Sequence, residues 1–364
     1  MDFSDRLARA RAATAAAGLD ALLVTPGPDL RYLTGYRARP SERLTCLVLP
    51  AAGDPVLVLP RMERTGALAS PVGPLGLELL DWSDGADPYG LVAKALPAAG
   101  AVALDDHMPA AMVLGLRSAL PDTEQRLAGP VLGPLRTRKS ADEVDALRAA
   151  GAAIDRVHAR MGEWLRPGRT ERAVGRDIAD AILAEGHETA DFTIVGSGPN
   201  GASPHHELSD RVISAGEPVV VDIGGTTEDG YCSDSTRTYV VGSAPAEFTV
   251  YYDVLRAAQK AAVEAVRPGV TAESIDAAAR EVISAAGYGE AFLHRTGHGI
   301  GVLTHEDPYI VAGNAQLLEP GMAFSVEPGI YFAGQHGARI EDIVVVTEDG
   351  VERLNRTTRT LGVL

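Results

Sequence analysis

Asp222, Asp234, Glu327 and Glu341 each stand beside or within an apolar run, in VVVDIG, SDSTRTYVV, FSVEPGIYF and RIEDIVVV. A carboxylate in such a place is costly unless something compensates its charge. The turn segments TTEDG and AGQHG suggest how they are arranged. Residue 228 is the midpoint of Asp222 and Asp234, and residue 334 is the midpoint of Glu327 and Glu341. Antiparallel hairpins about these midpoints are expected to set each pair directly opposite, with side chains about 4.5–5.5 Å apart. Like charges at that spacing repel, and a buried pair would keep a proton unless a cation intervened. Two divalent cations would neutralise four carboxylates. For any one acid alone a hydrogen-bonded structural role is the commoner explanation, but two facing pairs favour a shared dinuclear metal centre.

An all-oxygen ligand set suits magnesium or calcium, whereas an added imidazole favours manganese, cobalt, iron or zinc. HRTGHGIGVLTHEDP, residues 294–308, supplies candidates in His294, His298 and His305. The zinc-protease pattern fails here, because the position one helical turn after His305-Glu306 holds Tyr309. His298, in a Gly-rich turn, is the best ligand candidate. His305 and His205, the latter in SPHHEL, could bracket an activated water or a substrate carbonyl.

The elements that must carry these groups repeat. RPGRTERAVGRDIADAILAEGH starts at residue 166 and RPGVTAESIDAAAREVISAAGY at 267, an offset of 101 that aligns the Arg-Pro-Gly, the Thr helix cap and the Gly terminator. Val174, Ile178 and Ile182 fall on Ile275, Ala279 and Ile283, and VGSG (195–198) falls on TGHG (296–299). AGEPVVVDIG (215–224) matches PGMAFSVEPG (320–329) at offset 105, placing Asp222 over Glu327. Common helix entries and Ala-rich composition could explain the helices alone; they do not explain matched carboxylates. The expected catalytic domain, residues 134–364, is therefore two related halves. Ahead of it, ALLVTP, LTCLVLP and DPVLVLP read as strands among helices, an α/β domain over residues 1–133. AGPVLGPLRTRKSADE, residues 128–143, reads as a linker that opens a long helix through a Ser140/Glu143 capping box.

Composition narrows the function further. Forty-nine acids against 33 bases give a formal charge of -16, which would repel a phosphate backbone, so nucleic acid is not an expected partner. No apolar run is long enough to span a bilayer, so no membrane role is expected. The N-terminal segment reads as an amphipathic helix rather than a signal peptide, and a cytoplasmic location is the expectation. Cys46 and Cys232, the only cysteines, are too few for a disulfide framework and read as small buried residues.

VVVDIGG, SDSTRTY, HRTGHGIGVLTHE, SVEPGIY and RIEDIVVVT occur in this order, and LRYLTGY lies near residue 30. With these motifs the chain resembles, nearly end to end, the pita-bread metallohydrolases, in the aminopeptidase P, prolidase and creatinase branch. The resemblance implies a creatinase/prolidase-type α/β N-terminal domain and an α+β pita-bread catalytic domain with an internal pseudo-twofold repeat. It implies two divalent metals, manganese first and cobalt or zinc as alternatives. Asp222 would chelate one metal, Asp234 and Glu341 would bridge both, and His298 with Glu327 would complete the second. The two Asp stand twelve apart rather than the usual eleven, which the hairpin turn can absorb. Glu327 would also relay a proton to the departing nitrogen, and His205 and His305 would steady the carbonyl oxygen and the tetrahedral intermediate. His294 would line the pocket for the residue after the cleaved bond, Arg339 would hold the carboxylates and Tyr331 would line the substrate side.

The implied activity is hydrolysis of an Xaa-Pro bond, in dipeptides or at the N-terminus of longer peptides, by a homodimer or higher homo-oligomer. Some prolidases carry an Arg where this chain has Tyr309, which favours the aminopeptidase; the short length resembles compact prolidases, so both stay open. The alternatives are a creatinase-like C–N hydrolase, set back by the complete ligand set, and a non-catalytic binding protein, which should have lost a ligand. Gly196, Gly198 and Gly201 form a Gly-x-Gly-x-x-Gly, but ASPHHELSDRVISAGE is not the helix a nucleotide site requires, so this segment reads as a substrate loop.

Overall fold

Runs rich in Leu and Val form the middle of the N-terminal sheet: β1 (Ala21–Val24), β2 (Cys46–Pro50) and β3 (Val56–Pro60) are buried almost throughout. With β4 (Glu78–Trp82), β5 (Ala101–Leu104) and β6 (Glu124–Leu127) they make a six-stranded sheet in the order β4-β3-β2-β1-β5-β6. Strands buried on both faces read as continuous rather than alternating apolar runs. The β1–β2 and β2–β3 pairs are antiparallel and the others parallel. The computed structural model describes all residues, 1–364, as two units, Met1–Arg136 and Thr137–Leu364. No helix is long and apolar enough to cross a membrane.

The stretch expected to be a linker is helical over Gly129–Thr137. Pro130 lies in the first turn, where its missing N–H had no intrahelical partner to lose, and burial of Val131 and Leu132 helps the helix tolerate Pro134. The next helix, Ala141–Ala159, opens as expected, with the Glu143 carboxylate accepting from the Ser140 N–H at 2.9 Å.

In the second unit, β7 (His187–Ser197), β8 (Pro218–Thr227) and β9 (Cys232–Val240) form one antiparallel sheet that β17 (Gly362–Val363) later joins beside β9. β10 (Gly297–Gly299), β11 (Glu306–Ile310), β12 (Ala323–Val326), β15 (Asp342–Val346) and β16 (Val351–Arg353) form a second, in the order β11-β10-β12-β15-β16, while β13 (Gly329–Phe332) and β14 (His336–Arg339) pair as a hairpin. The repeat is visible in three dimensions. The helices Glu171–Ala184 and Ala272–Ala285 both have 14 residues, and Gly186 and Gly287 end them at φ 99° and 87°, a region glycine enters without strain. Bridges before the two helices also correspond: Thr170 pairs with Val212, and Thr271 with Leu317. Each helix buries its apolar stripe in its own core, Val174, Ile178 and Ile182 in one, Ile275, Ala279 and Ile283 in the other.

The hairpin register corrects one expectation. Asp222 pairs with Thr236, and Asp234 with Gly224, so the two aspartates are diagonal rather than directly opposite. The turn is closed by Thr227 N–H donating to the Tyr231 carbonyl at 2.9 Å, which centres the hairpin on residue 229 instead of 228. A one-residue shift of centre moves the pairing by two, and an even slip keeps both side chains on one face. In the other pair the register Val326↔Asp342 continues as Gly329↔Arg339, so Glu327 falls opposite Glu341 at the break between the two ladders.

Candidate metal centre

Five side chains converge between the two halves of the second unit. Asp222 lies on β8, Asp234 on β9 and His298 in the middle of β10; Glu327 follows β12 and Glu341 precedes β15. All are buried except Glu327, which is half-buried. One ligand atom each from Asp234, His298 and Glu341 lies within 4.8 Å of the others. His298 Nε2 is 3.1 Å from Glu327 Oε1 and 3.7 Å from Asp234 Oδ2.

Local backbone chemistry aims these groups. A Cβ at Gly297 would stand 1.8 Å from the Ser325 carbonyl oxygen, and one at Gly299 would stand 2.2 Å from that of Asp307. Only glycine on either side lets the β10 backbone carry His298 this deep between β11 and β12. His298 Nδ1 lies 3.1 Å from the Gly299 carbonyl, which can only accept, so Nδ1 holds a proton and Nε2 faces the carboxylates. Thr236, the residue opposite Asp222, donates its hydroxyl to Glu341 Oε2 at 2.8 Å.

The electrostatics suit a cation. Burial, then the charges of Glu341, Asp222 and Glu327, push the Asp234 carboxyl well above the usual carboxylate range. Burial, with Glu327 and Asp222, does the same to Glu341. Burial would raise Glu327 too, but the hydrogen bond and charge of His298, helped by His294 and Arg339, hold it down at about 2. Asp222 Oδ1 and Glu341 Oε1 are buried without a hydrogen-bond partner. Such acceptors are destabilising as they stand and are natural ligands for a divalent ion. The donor set, four carboxylates and one imidazole, therefore fits.

Beside the centre a connected chain leads from Asp222 to His294. Arg339, 2% exposed, pairs with Asp222 Oδ2 and donates to Thr236 Oγ1 at 3.1 Å, Tyr331 Oη at 2.7 Å and the Pro204 carbonyl at 3.3 Å. Burial raises the Tyr331 hydroxyl to about 12, so it keeps its proton and donates it to His294 Nε2 at 2.9 Å. His294 Nδ1 in turn lies 2.7 Å from the Arg295 carbonyl, and burial favours its neutral form. His305 is exposed, its ring edge-on to His298 at 4.1 Å between centroids. Partial burial, then His298 and Arg295, lower it to about 4, leaving a neutral imidazole at neutral pH. His205 is exposed too, close enough to influence the protonation of both His294 and His305.

Several residues of the site escaped the sequence reading. His206 is not a second copy of His205: its Nε2 lies 2.7 Å from the buried Glu171. Glu171 also accepts from Ser197 N and Oγ at 2.8 and 2.7 Å, from Asn200 Nδ2 and from Ser209 Oγ, pinning the loop that carries Pro204 and His205. In the other half Asp276 accepts from Thr296 N and Oγ1 at 3.1 and 2.7 Å and pairs with Arg280, which donates to the His294 carbonyl at 2.9 Å. Glu306, the acid of the misleading His-Glu pair, is occupied by Lys139 at 2.7 Å.

The chain matches the family model for metallopeptidase family M24 over residues 145–348 and that for the creatinase/prolidase N-terminal domain over residues 6–137. The chain belongs to metallopeptidase family M24. Its fold is shared with the crystal structure of dipeptidase PepE from Mycobacterium ulcerans, 58% identical, with a TM-score of 0.94 over 99% of this chain and 97% of that one. It is also shared with a prolidase from Thermococcus sibiricus, 38% identical, with a TM-score of 0.94 and complete coverage of both chains. An Xaa-Pro dipeptidase of Lactobacillus delbrueckii subsp. lactis is 36% identical over 355 residues, 95% of each chain. As an M24 member the protein is a metallopeptidase with the creatinase-type N-terminal domain and pita-bread catalytic domain, using divalent metal.

Proposed function

We propose that this M24 enzyme hydrolyses Xaa-Pro bonds with two divalent ions held by Asp222, Asp234, His298, Glu327 and Glu341. The observation that carries the reading is the buried cluster of Asp234, His298 and Glu341, with Glu327 Oε1 3.1 Å from His298 Nε2, together with the buried Asp222 Oδ1 and Glu341 Oε1 that lack a hydrogen-bond partner. Asp234 and Glu341 would bridge the ions, Asp222 would complete one and His298 with Glu327 the other. A nitrogen among carboxylate oxygens favours manganese, with cobalt or zinc as alternatives. The ions would supply Lewis acidity, polarising a carbonyl and bringing the pKa of water toward neutrality.

The remaining steps belong to side chains. Glu327 Oε1 accepts from Ser325 Oγ at 3.0 Å, so Oε2 is the atom to take a proton and pass it to the departing nitrogen. His305, a neutral imidazole beside the ligand His298, donates to the carbonyl oxygen as negative charge develops there, and His205 assists from the loop. Arg339 positions Asp222 while Tyr331 and His294 line the pocket for the leaving residue. Proline has no backbone N–H, so that pocket needs no acceptor for one and can be lined by rings. Similarity to relatives named prolidase and Xaa-Pro dipeptidase supports the same substrate class. A cytoplasmic homodimer or higher homo-oligomer completes the reading.

The test is cleavage of Ala-Pro, Ala-Pro-Ala and Ala-Leu by chelator-treated protein, with and without added manganese. Metal-restored cleavage of a proline substrate and little of Ala-Leu is expected. Equal cleavage of Ala-Leu would overturn the proline assignment, and cleavage unaffected by chelation would overturn the metal one.

A further inference from the structure

Lys139 and Glu306 form an ion pair at 2.7 Å whose side chains are 1% and 3% exposed, both in the unit that holds the metal centre. A buried pair of this kind seldom stabilises a fold more than two apolar residues of similar size would, because each charge gives up its water. What it supplies is geometry. Lys139 is fixed through its backbone: its N–H donates to the Gly321 carbonyl at 2.9 Å, and the preceding Arg138 bridges to Met322. At Gly321, where φ is 87°, a Cβ would stand 2.7 Å from the Lys139 carbonyl oxygen, so only glycine admits this approach. Gly321 and Met322 lead directly into β12, the strand that Glu327 follows. Glu306 opens β11 opposite Gly299, the neighbour of His298. In the order β11-β10-β12 the pair therefore ties together the two strands that flank the one carrying His298.

The chain wraps this pair closely. A Cβ at Gly301 would stand 2.6 Å from Glu306 Oε1 and 3.1 Å from Lys139 Cε. The short loop of residues 300–305 runs over the pair, and its last residue is His305. The His305 ring is exposed, makes no hydrogen bond and meets His298 edge-on at 4.1 Å between centroids. Its place is set by the backbone of Glu306, and Lys139 holds Glu306. We propose that Lys139 is a positioning residue: through Glu306 it fixes the His305 imidazole beside His298, where a substrate carbonyl oxygen develops charge. The inference rests on the peptidase reading above, in which His305 is that donor. Such a donor must come within about 2.7–3.1 Å of the developing oxyanion, and a displacement of about 1 Å lowers the rate by roughly a hundredfold.

Four metal-loaded proteins test this: wild type, the double variant Lys139→Met/Glu306→Leu, His305→Ala, and the triple variant. Removing both charges leaves no unpaired ion in the interior, so the double variant is expected to fold with the wild-type metal content and a similar thermal midpoint. On Ala-Pro its kcat should fall by about tenfold or more with KM little changed. In the His305→Ala background the same two substitutions should change kcat by less than about twofold, because their effect runs through the imidazole. Equal losses in the two backgrounds overturn the inference, as does a double variant with wild-type kcat. Loss of metal from the double variant would make the pair a support of the metal ligands and overturn the assignment to His305. If the double variant does not fold, Glu306→Gln, which keeps a carbonyl acceptor for Lys139 Nζ, enters the same cycle, with a severalfold loss of kcat expected only where His305 is present. Crystal structures of the metal-free proteins give a readout independent of turnover: the His305 ring should leave its edge-on contact with His298 in the variant, and an unmoved ring overturns the inference. If wild type cleaves neither Ala-Pro nor Ala-Pro-Ala, the peptidase reading has failed, and the crystal structures still decide whether the pair holds His305.

Discussion

Asp234→Asn should stabilise the metal-free protein and abolish its stabilisation by metal. Asp234 is 4% exposed, and burial together with Glu341, Asp222 and Glu327 raises its carboxyl. Keeping that carboxyl protonated at about pH 7.5, against an ordinary value of 3.8, costs at most about 5 kcal/mol. Asn has nearly the same shape and no proton to acquire, so a gain of roughly 1–5 kcal/mol is expected, raising the chelated midpoint by at least about 2 °C. The sign with pH follows from the direction of the shift. A carboxyl raised in the folded state contributes stability below its unfolded value, and that contribution is lost as pH rises through the folded value. The chelated wild type should therefore lose stability as pH rises above the ordinary carboxylate value of 3.8, and the variant should lose less. Manganese at a thousandfold excess over its dissociation constant should add about 4 kcal/mol to wild type and little to the variant. Thermal melts by circular dichroism, with EDTA and with manganese, measure all of this. A variant less stable than wild type in EDTA, or one that gains equally from manganese, would refute the reasoning.

Three further perturbations follow from the same contacts. Arg339→Met leaves Asp222 buried without its cation, and chelated protein should lose roughly 3–5 kcal/mol in urea unfolding; a loss under about 1 kcal/mol would contradict the pairing. His305→Ala should lower kcat by about a hundredfold with metal content unchanged by elemental analysis, and a co-purified loss of metal would instead make it a ligand. Glu171→Gln weakens the acceptor that ties Ser197, Asn200, His206 and Ser209 together, so hydrogen exchange should quicken across residues 197–209, by an opening energy lower by about 1–3 kcal/mol, and stay unchanged in the helix Ala272–Ala285.

The carboxylates were legible because a charge in an apolar run is a local signal, and the repeat was legible because its helix entries carry the same cap and stop residues 101 apart. The hairpin centre was not, since moving it from residue 228 to 229 depends on how the turn closes, a contact between Thr227 and Tyr231. Nor could sequence divide the adjacent His205 and His206, one exposed near the site and one bound to Glu171. Glu171 and Asp276 look like ordinary first-turn or surface acids until the fold brings Ser197 and Thr296 against them. The Gly-Pro steps of residues 128–143 suggested a linker, whereas burial of Val131 and Leu132 favoured a helix. Arg295 and Tyr309 meet only because β10 and β11 pair, which residues 14 apart do not announce.

The most direct test of the account is the anomalous scattering of crystals grown from chelator-stripped protein and soaked in manganese. The account predicts two peaks about 3.5–4 Å apart, both within coordination distance of Asp234 and Glu341, one also of Asp222 and the other of His298 and Glu327. Metal bound elsewhere, or a single ion that leaves Asp222 still paired only with Arg339, would contradict it.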